Sequence, residues 1–473
     1  MSTLSYQNSY SPGSALLEDA DGNFYGTTQA GVFFRLTPAG DLTTLATLSA
    51  TSPPLIQVGG NFYGILYNGE DQAFELTPDG VLTDLAVITV GEDSWASGLT
   101  PGSDGNFYGA TAGGGANNLG EVFQLTPSGT VTSIVSFDSS IVPQSVYHTV
   151  SPLLLASDGN FYGTAYQAGT NSMGAIYRVS PSGSLSLLAS FNGSGNGSLP
   201  LTGMVQGADG NLYGVTSGGG VSYLGVFYQL TLAGDLNPLY DFGTANGRPN
   251  GPLLQGADGN FYGTSGQTSG SGNGTIFSLT AGGSLTTLLA FNGSNGSQPA
   301  AGLMLGSDGN YYGTTTAGGG TVGANAGTIF RLTQPPAAPT GLTAVAGSGS
   351  VTLSWNVVSG AASYNVYQGT IAGGEGTAPA ASVLSTGAIV SGLTAGQTCY
   401  FTVTAVSANG ESAFSNEASA TVAASSSSSS SSGGSGGSGG GGGVIGWPAL
   451  LFLGLALIGR RRMRVHRLRP RTG

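Results

Sequence analysis

Few side chains in this 473-residue chain have the types and spacing that acid–base or nucleophilic chemistry requires. Only one histidine, His148, lies outside the last fourteen residues, so neither a catalytic triad nor a repeated histidine site is indicated. Asp93, Asp138 and Asp241, near loop entrances, are the candidates for a carboxylate pair that cleaves polysaccharide. Such a pair must converge to a separation of roughly 5–10 Å.

A second group of acids recurs in one context, immediately before Gly-Asn. Aspartate in this position is typical of a turn whose carboxylate bonds the nearby backbone, and we predict that role. A ring of calcium ligands is the alternative, and only the first copy, with Asp19 and Asp21, has the doubled acid that such loops favour. We therefore predict no metal and no cofactor. The recurring residues are Asp21, Asp104, Asp158, Asp209, Asp258 and Asp308.

These aspartates belong to a tandem repeat with a period near fifty residues. The phrase Asn-aromatic (or Leu)-Tyr-Gly recurs seven times. The sixth copy, at 252–291, carries four runs rich in β-branched, aromatic and leucine residues between Gly, Asp and Pro turn signals. Four antiparallel strands per copy predict an all-β fold with a seven-bladed β-propeller over residues 1–333. A parallel β-solenoid is the alternative. The repeated asparagines are Asn23, Asn61, Asn106, Asn160, Asn211, Asn260 and Asn310.

The phase of the repeat predicts a closed ring. The last copy ends after its third strand at 327–333, and residues 2–6 resemble the missing fourth strand. We expect this N-terminal strand to close the last blade, which removes exposed sheet edges.

Loop lengths predict two different faces. The connections from strand 1 to 2 and from strand 3 to 4 are short and uniform, whereas those from 2 to 3 and from 4 to 1 are long and variable. Variable loops on a rigid scaffold are where recognition is usually found. Rings in these loops suit stacking on sugars or apolar patches; the alternative is that each ring only fixes its own loop. The candidate ligand-binding residues are Trp95, Tyr147, His148, Tyr166 and Tyr223.

Residues 335–422 resemble a fibronectin type III domain. The resemblance rests on the runs 351–355, 363–367 and 400–406 and on the ending 409–415. It implies a second β-sandwich domain. The chain departs from the family at Cys399, which stands where a tyrosine often forms the corner hydrogen bond, and we expect a buried cysteine there.

The C-terminal part resembles a bacterial sorting signal of the GlyGly-CTERM type. A Ser/Gly-rich linker at 423–443 precedes residues 444–473, which begin with a sixteen-residue apolar run. That run predicts a short transmembrane helix, with Arg460, Arg461 and Arg462 as the membrane stop and the body outside. The resemblance implies cleavage by a rhomboid-like protease near Gly442 and Gly443. A plain tail anchor is the alternative.

The repeat itself is similar to the "GloVer" tandem repeat of choice-of-anchor bacterial surface proteins. The similarity is carried by 260–264, 285–291 and 327–333. It implies surface exposure and assigns no catalytic residue.

Charge narrows the class of partner. Residues 1–459 carry four Arg against all 23 acids, a formal charge of 4 − 23 = −19, which disfavours nucleic acid. Residues 1–6 lack a signal peptide, so we expect one upstream of the given start. We predict an exported, non-catalytic surface protein that binds a carbohydrate or cell-surface partner. An extracellular polysaccharide hydrolase or lyase and a structural coat component are the alternatives.

Overall fold

The computed structural model describes residues 2–5, 14–48, 54–89, 95–142, 150–266, 272–299, 301–319, 327–407 and 409–424. All regular structure within these ranges is β-strand. No helix in the described part of the chain is long and apolar enough to cross a membrane. The predicted transmembrane segment at 444–459, Gly442, Gly443 and the arginine stop lie outside these ranges and stay predictions.

Seven antiparallel sheets follow one another along residues 2–332, and we call them blades 1 to 7. The N-terminal strand is β1 (Ser2–Ser5). Blade 1 contains β2 (Leu17–Glu18), β3 (Phe24–Thr27), β4 (Val32–Leu36) and β5 (Leu42–Thr47). Blade 2 contains β6 (Ile56–Val58), β7 (Asn61–Tyr67), β8 (Asp71–Leu76) and β9 (Leu82–Thr89). Blade 3 contains β10 (Thr100–Pro101), β11 (Phe107–Thr111), β12 (Glu121–Leu125) and β13 (Val131–Ser136).

The remaining blades repeat this order. Blade 4 contains β14 (Leu154–Leu155), β15 (Phe161–Ala165), β16 (Ala175–Val179) and β17 (Leu185–Ser190). Blade 5 contains β18 (Val205–Gln206), β19 (Leu212–Val215), β20 (Val226–Leu230) and β21 (Leu236–Asp241). Blade 6 contains β22 (Arg248–Pro249), β23 (Leu254–Gln255), β24 (Phe261–Gly266), β25 (Thr275–Leu279) and β26 (Leu285–Ala290). Blade 7 contains β27 (Met304–Leu305), β28 (Tyr311–Thr315), β29 (Thr328–Leu332) and β1.

The turns between strands 3 and 4 in blades 1 to 6 share one hydrogen bond. In blade 3 the Thr126 hydroxyl oxygen accepts the N–H of Thr130 at 3.0 Å, and Gly129 has a φ of 88°. Glycine suits this left-handed position because it has no Cβ. The same bond recurs in all six turns, as the uniform loop lengths predict, from Thr37, Thr77, Thr126, Ser180, Thr231 and Thr280.

The repeated tyrosine fastens each blade to the next. Its ring packs against the aromatic residue that precedes the equivalent tyrosine in the following blade, and such pairs add about 0.5–1.5 kcal/mol beyond area burial. In blade 5 a leucine takes the aromatic's place, and Tyr162 and Leu212 share one apolar cluster. The ring pairs, with their centroid distances, are Tyr25–Phe62 (4.6 Å), Tyr63–Phe107 (4.6 Å), Tyr108–Phe161 (4.3 Å), Tyr213–Phe261 (4.2 Å), Tyr262–Tyr311 (4.3 Å) and Tyr312–Phe24 (4.3 Å).

The glycine after each repeat tyrosine makes room for a ring from the neighbouring strand. Gly109 lies opposite Phe123 in the ladder, and a Cβ on Gly109 would stand 2.4 Å from the end of that ring. The same close approach occurs at all seven copies: Gly26, Gly64, Gly109, Gly163, Gly214, Gly263 and Gly313. In the repeated Tyr-Gly dipeptide, the tyrosine therefore packs between blades and the glycine admits a ring within its own blade.

The series of blades closes on itself, which makes the arrangement propeller-like. Blade 7 packs on blade 1 through the Tyr312–Phe24 ring pair, and the Ser307 N–H and hydroxyl donate to the Glu18 carboxylate at 2.6 and 2.7 Å. The predicted N-terminal strand is confirmed, since β1 pairs antiparallel with β29. The parallel solenoid alternative is wrong, because every described ladder in the seven blades is antiparallel.

Residues 343–421 form two further sheets around one core. One sheet contains β30 (Thr343–Gly347), β31 (Ser350–Ser354) and β34 (Gly387–Ser391). The other contains β32 (Ser363–Gly369), β33 (Ala381–Val383), β35 (Thr398–Ser407), β36 (Gly410–Glu411) and β37 (Ala418–Thr421). Cys399 is fully buried in this core, as expected. The region contacts blade 7, where Asn409 Nδ2 donates to Asn310 Oδ1 at 2.9 Å.

Candidate functional site

The antiparallel blades give the ring two faces. We call the face with the strand 1–2 and strand 3–4 turns the regular face, and the face with the strand 2–3 and strand 4–1 connections the variable face. The strand 2–3 connection spans 68–70 in blade 2 but 216–225 in blade 5. Variation in loop length between these blades therefore lies on the variable face, as predicted.

Trp95 is an exposed aromatic residue on the variable face, between blades 2 and 3. Its side chain is 53% exposed, and its ring stacks on Tyr67 with centroids 5.3 Å apart and planes 12° apart. The N–H of the next residue, Ala96, donates to the buried Asp71 carboxylate at 3.1 Å. Trp95 itself has a φ of 33°, a conformation that bulky side chains rarely adopt. The Trp95 ring is thus exposed to solvent on a backbone that a hydrogen bond of the next residue fixes.

Tyr223 is the second such residue, in the strand 2–3 connection of blade 5. It is 72% exposed and has a φ of 57°. Its connection is braced, because the Gly220 N–H donates to the Gly193 carbonyl at 2.8 Å and the Val221 N–H to the Asp241 carboxylate at 3.3 Å. The tyrosine ring therefore projects from a loop whose backbone is hydrogen-bonded to Gly193 and to Asp241.

Among the aromatic side chains described in the seven blades, only Trp95 and Tyr223 are exposed. Both therefore combine solvent exposure with a left-handed backbone, and outliers of this kind are enriched at functional sites. Tyr166 is half-buried after the end of β15. Tyr147, His148 and Asp93 lie outside the described residues and stay predictions.

The two remaining acid candidates are placed apart in the fold. Asp138 follows the fourth strand of blade 3, and Asp241 ends the fourth strand of blade 5, so blade 4 lies between them in the series. The Asp138 carboxylate accepts the N–H and the hydroxyl of Ser140, and these bonds lower the pKa of Asp138. Each acid thus has a local loop-fixing partner.

Five of the six repeated aspartates bond their own turns as predicted, and the prediction is wrong for Asp21. In blade 5 the Asp209 carboxylate accepts the N–H of Asn211 at 3.2 Å, its side-chain amide at 2.8 Å and the Tyr213 hydroxyl at 2.9 Å. Blades 3, 4, 6 and 7 show the same three bonds. The turn, the asparagine and the tyrosine therefore act as one unit.

Blades 1 and 2 depart from this unit in different ways. In blade 1 the Asp19 carboxylate accepts the Asn23 N–H at 2.9 Å, so Asp19 takes the usual part of Asp21. In blade 2 the aspartate is missing, and the Glu75 carboxylate accepts the Tyr63 hydroxyl at 2.9 Å and the Asn61 amide at 2.5 Å. Sequence reasoning missed Glu75 because only the ladder register shows that it lies opposite Tyr63.

In blades 3 and 4 the pKa values of the aspartate and the tyrosine of this unit are shifted in opposite directions. Hydrogen bonding by the Asn106 side chain is the main cause that lowers the pKa of Asp104. Burial first, and then the Asp158 carboxylate, raise the pKa of Tyr162 to about 12. Asp104 and Asp158 are thus ionised, and Tyr108 and Tyr162 neutral, at pH 7, which favours a structural hydrogen bond. No group of three or more His, Cys, Asp or Glu side chains in the described ranges is arranged to hold a metal ion.

The chain matches the sequence profile of the Gloeobacter/Verrucomicrobia repeat over residues 1–151 and 147–406. It belongs to this repeat family. The match confirms the predicted tandem-repeat resemblance.

Individual proteins resemble this chain either over a short stretch or at low sequence identity. Amylopullulanase from Thermoanaerobacter thermohydrosulfuricus is 44% identical over 82 residues, which are 17% of this chain and 6% of that protein. The extracellular domain of a hybrid two-component system from B. thetaiotaomicron is 14% identical with a TM-score of 0.46, over 88% of this chain and 56% of that chain. The WD40 β-propeller domain of Doa1 is 8% identical with a TM-score of 0.47, over 70% of this chain and 96% of that chain.

Proposed function

We propose that this protein is an exported, non-catalytic surface protein that binds a carbohydrate or cell-surface partner through the variable face of a seven-bladed β-propeller. The observation that supports the proposal is the pair Trp95 and Tyr223. They are the exposed aromatic residues of the described blades, and both have positive φ. Backbone strain of this kind clusters at functional sites, and exposed Trp and Tyr rings suit stacking on a partner, so the pair favours recognition.

The spacing of the two rings favours a large partner. Trp95 precedes blade 3 and Tyr223 lies in blade 5, so they occupy different sectors of one face. Further apolar side chains are exposed in the loops of blades 4 and 5: Met173 is 40%, Leu201 49% and Val221 80% exposed. A polymer or a cell surface can reach both sectors at once, whereas a small ligand would use one.

The proposal includes the rest of the chain as a display device. In this proposal residues 335–422 are a fibronectin type III spacer, 423–443 a Ser/Gly-rich linker and 444–473 a sorting or anchor segment. The two-sheet core of residues 343–421 supports the spacer. The acidic charge of residues 1–459 supports a partner other than nucleic acid.

Binding by the full chain to polysaccharides and whole bacterial cells tests the proposal. The informative variants are Trp95→Ala and Tyr223→Asn. Asparagine is matched to the backbone, since Asn118 holds the corresponding loop position of blade 3 with a φ of 54°. Phe414→Ala is the control, because Phe414 is a 56% exposed aromatic residue outside the blades.

We expect both loop variants to lose retention while the Phe414 variant keeps it. Loss of one stacking ring should weaken binding about tenfold, in line with the 1–3 kcal/mol measured for base–aromatic stacking in other proteins. Equal retention by all four proteins would refute a role for the variable face.

A further inference from the structure

A cleft of about 550 Å³ lies between blades 1 and 2 on the regular face, opposite the loops that carry Trp95 and Tyr223. The strand 1–2 turn of blade 1, the Gly59–Gly60 turn and the strand 3–4 turn of blade 2 form its walls. The polar groups that matter are those of Asp21, Arg35, Gln57 and Asp79.

The Gln57 side chain lacks the bond that its counterparts make. In blade 5 the Gln206 carbonyl accepts the Ser157 N–H of the preceding turn at 2.8 Å, and in blade 6 the Gln255 carbonyl accepts the Ala208 N–H at 3.0 Å. Gln57 occupies the same ladder position in blade 2. Within the described residues its amide has no hydrogen-bond partner, so it is available to the cleft.

One further group at the cleft is also unpaired. Asp21 is exposed and makes no side-chain hydrogen bond within the described ranges, because Asp19 bonds the turn in its place. The Nε of Arg35 has no hydrogen-bond partner within the described residues, but it is buried and does not reach the cleft. A carboxylate and an amide thus line the cleft with free hydrogen-bonding capacity, beside the positive charge of Arg35.

We propose that this cleft is a second binding site, for a neutral saccharide. A sugar hydroxyl both donates and accepts a hydrogen bond, so it matches carboxylate acceptors that stand beside an amide donor. Asp19, Asp21 and Asp79 outnumber Arg35, which disfavours anionic sugars. The Gly59–Gly60 turn has no side chains, so a sugar ring can approach its backbone. This site is independent of the variable face.

The test measures binding of maltotriose, cellotriose, chitotriose and mannotriose to the full chain by saturation-transfer NMR and calorimetry. The cleft variant is Asp21→Asn with Gln57→Ala, which leaves the Asp19 turn bonds intact. Gln206→Ala is the matched control at the corresponding position of blade 5. Phe414→Ala, at an exposed ring outside the blades, is the second control.

We expect at least one trisaccharide to bind, and the cleft variant to weaken it about tenfold, as the loss of two hydrogen bonds implies. The Gln206 and Phe414 variants should bind as the parent does. Failure of all four sugars to bind overturns the proposal, and so does binding that the cleft variant leaves unchanged. Displacement of the sugar by spermidine at equal concentration would also overturn it, because the cleft would then select cations.

Discussion

The left-handed conformation of Tyr223 predicts a measurable conflict between stability and function. With a φ of 57°, any side chain that has a Cβ is strained by roughly 1–2 kcal/mol, and glycine is not. Tyr223→Ala removes the ring but keeps the strain, whereas Tyr223→Gly removes both. Because both variants lose the same small burial of a 72% exposed ring, their difference isolates the backbone.

The expected difference follows from two opposing effects. Glycine gains the strain relief of about 1–2 kcal/mol but loses about 0.5–1 kcal/mol through the entropy of the unfolded chain. Tyr223→Gly should therefore be more stable than Tyr223→Ala by about 0.5–1 kcal/mol. For a cooperative unit of this size that is about 1 °C in melting temperature, since the unfolding entropy is about 2.1 cal/mol/K per residue.

Scanning calorimetry of four variants provides the assay. Val221 lies in the same loop, is 80% exposed and is absent from the residues with positive φ, so it is the matched control. Here glycine should be the less stable of the two variants, by about 0.5–1 kcal/mol. The same order at both positions, with alanine above glycine, would refute strain at Tyr223 and remove the main support for its functional role.

Three further predictions concern the ring itself. Glu75→Ala should destabilise the protein by about 1–2 kcal/mol, because the Tyr63 hydroxyl and the Asn61 amide lose their acceptor. The loss should be smaller in a Tyr63→Phe background, where only the Asn61 bond remains to be lost, and additive losses in thermal denaturation would contradict this. Tyr162 has a pKa raised by burial to about 12, so its contribution to stability is complete below pH 10 and is lost as the pH rises toward 12. Melting temperatures across this range should therefore fall less steeply in Tyr162→Phe, and an identical slope would disagree. Removal of residues 2–5 should lower the melting temperature, because β29 loses its only partner on that edge; an unchanged value would show that the ring does not depend on the join.

The overall architecture was predictable because its signals are local. The Asp-Gly-Asn turns and the tyrosine that follows are visible in one repeat, and their recurrence gives the number of sheets. The join between β1 and β29 followed from counting strands. None of these steps needs a contact between distant residues.

The details of the candidate sites depend on such contacts and were missed. Glu75 replaces a turn aspartate only because the ladder sets it opposite Tyr63. Tyr166 and Tyr223 are both loop tyrosines in the sequence, yet one is half-buried and the other exposed, since burial depends on how neighbouring loops pack. The free amide of Gln57 was likewise not predictable. Its counterparts in blades 5 and 6 bond the preceding turn, whereas Gln57 makes no such bond within the described residues.

The most direct test of the binding function measures retention and product release in one experiment. The full chain is passed over insoluble polysaccharides and intact bacterial cells, and soluble sugar released into the flow is quantified. The proposal predicts retention without released sugar, and loss of retention in Trp95→Ala and Tyr223→Asn. Release of sugar by the parent chain would contradict a non-catalytic function, and retention that survives both substitutions would contradict binding through the variable face.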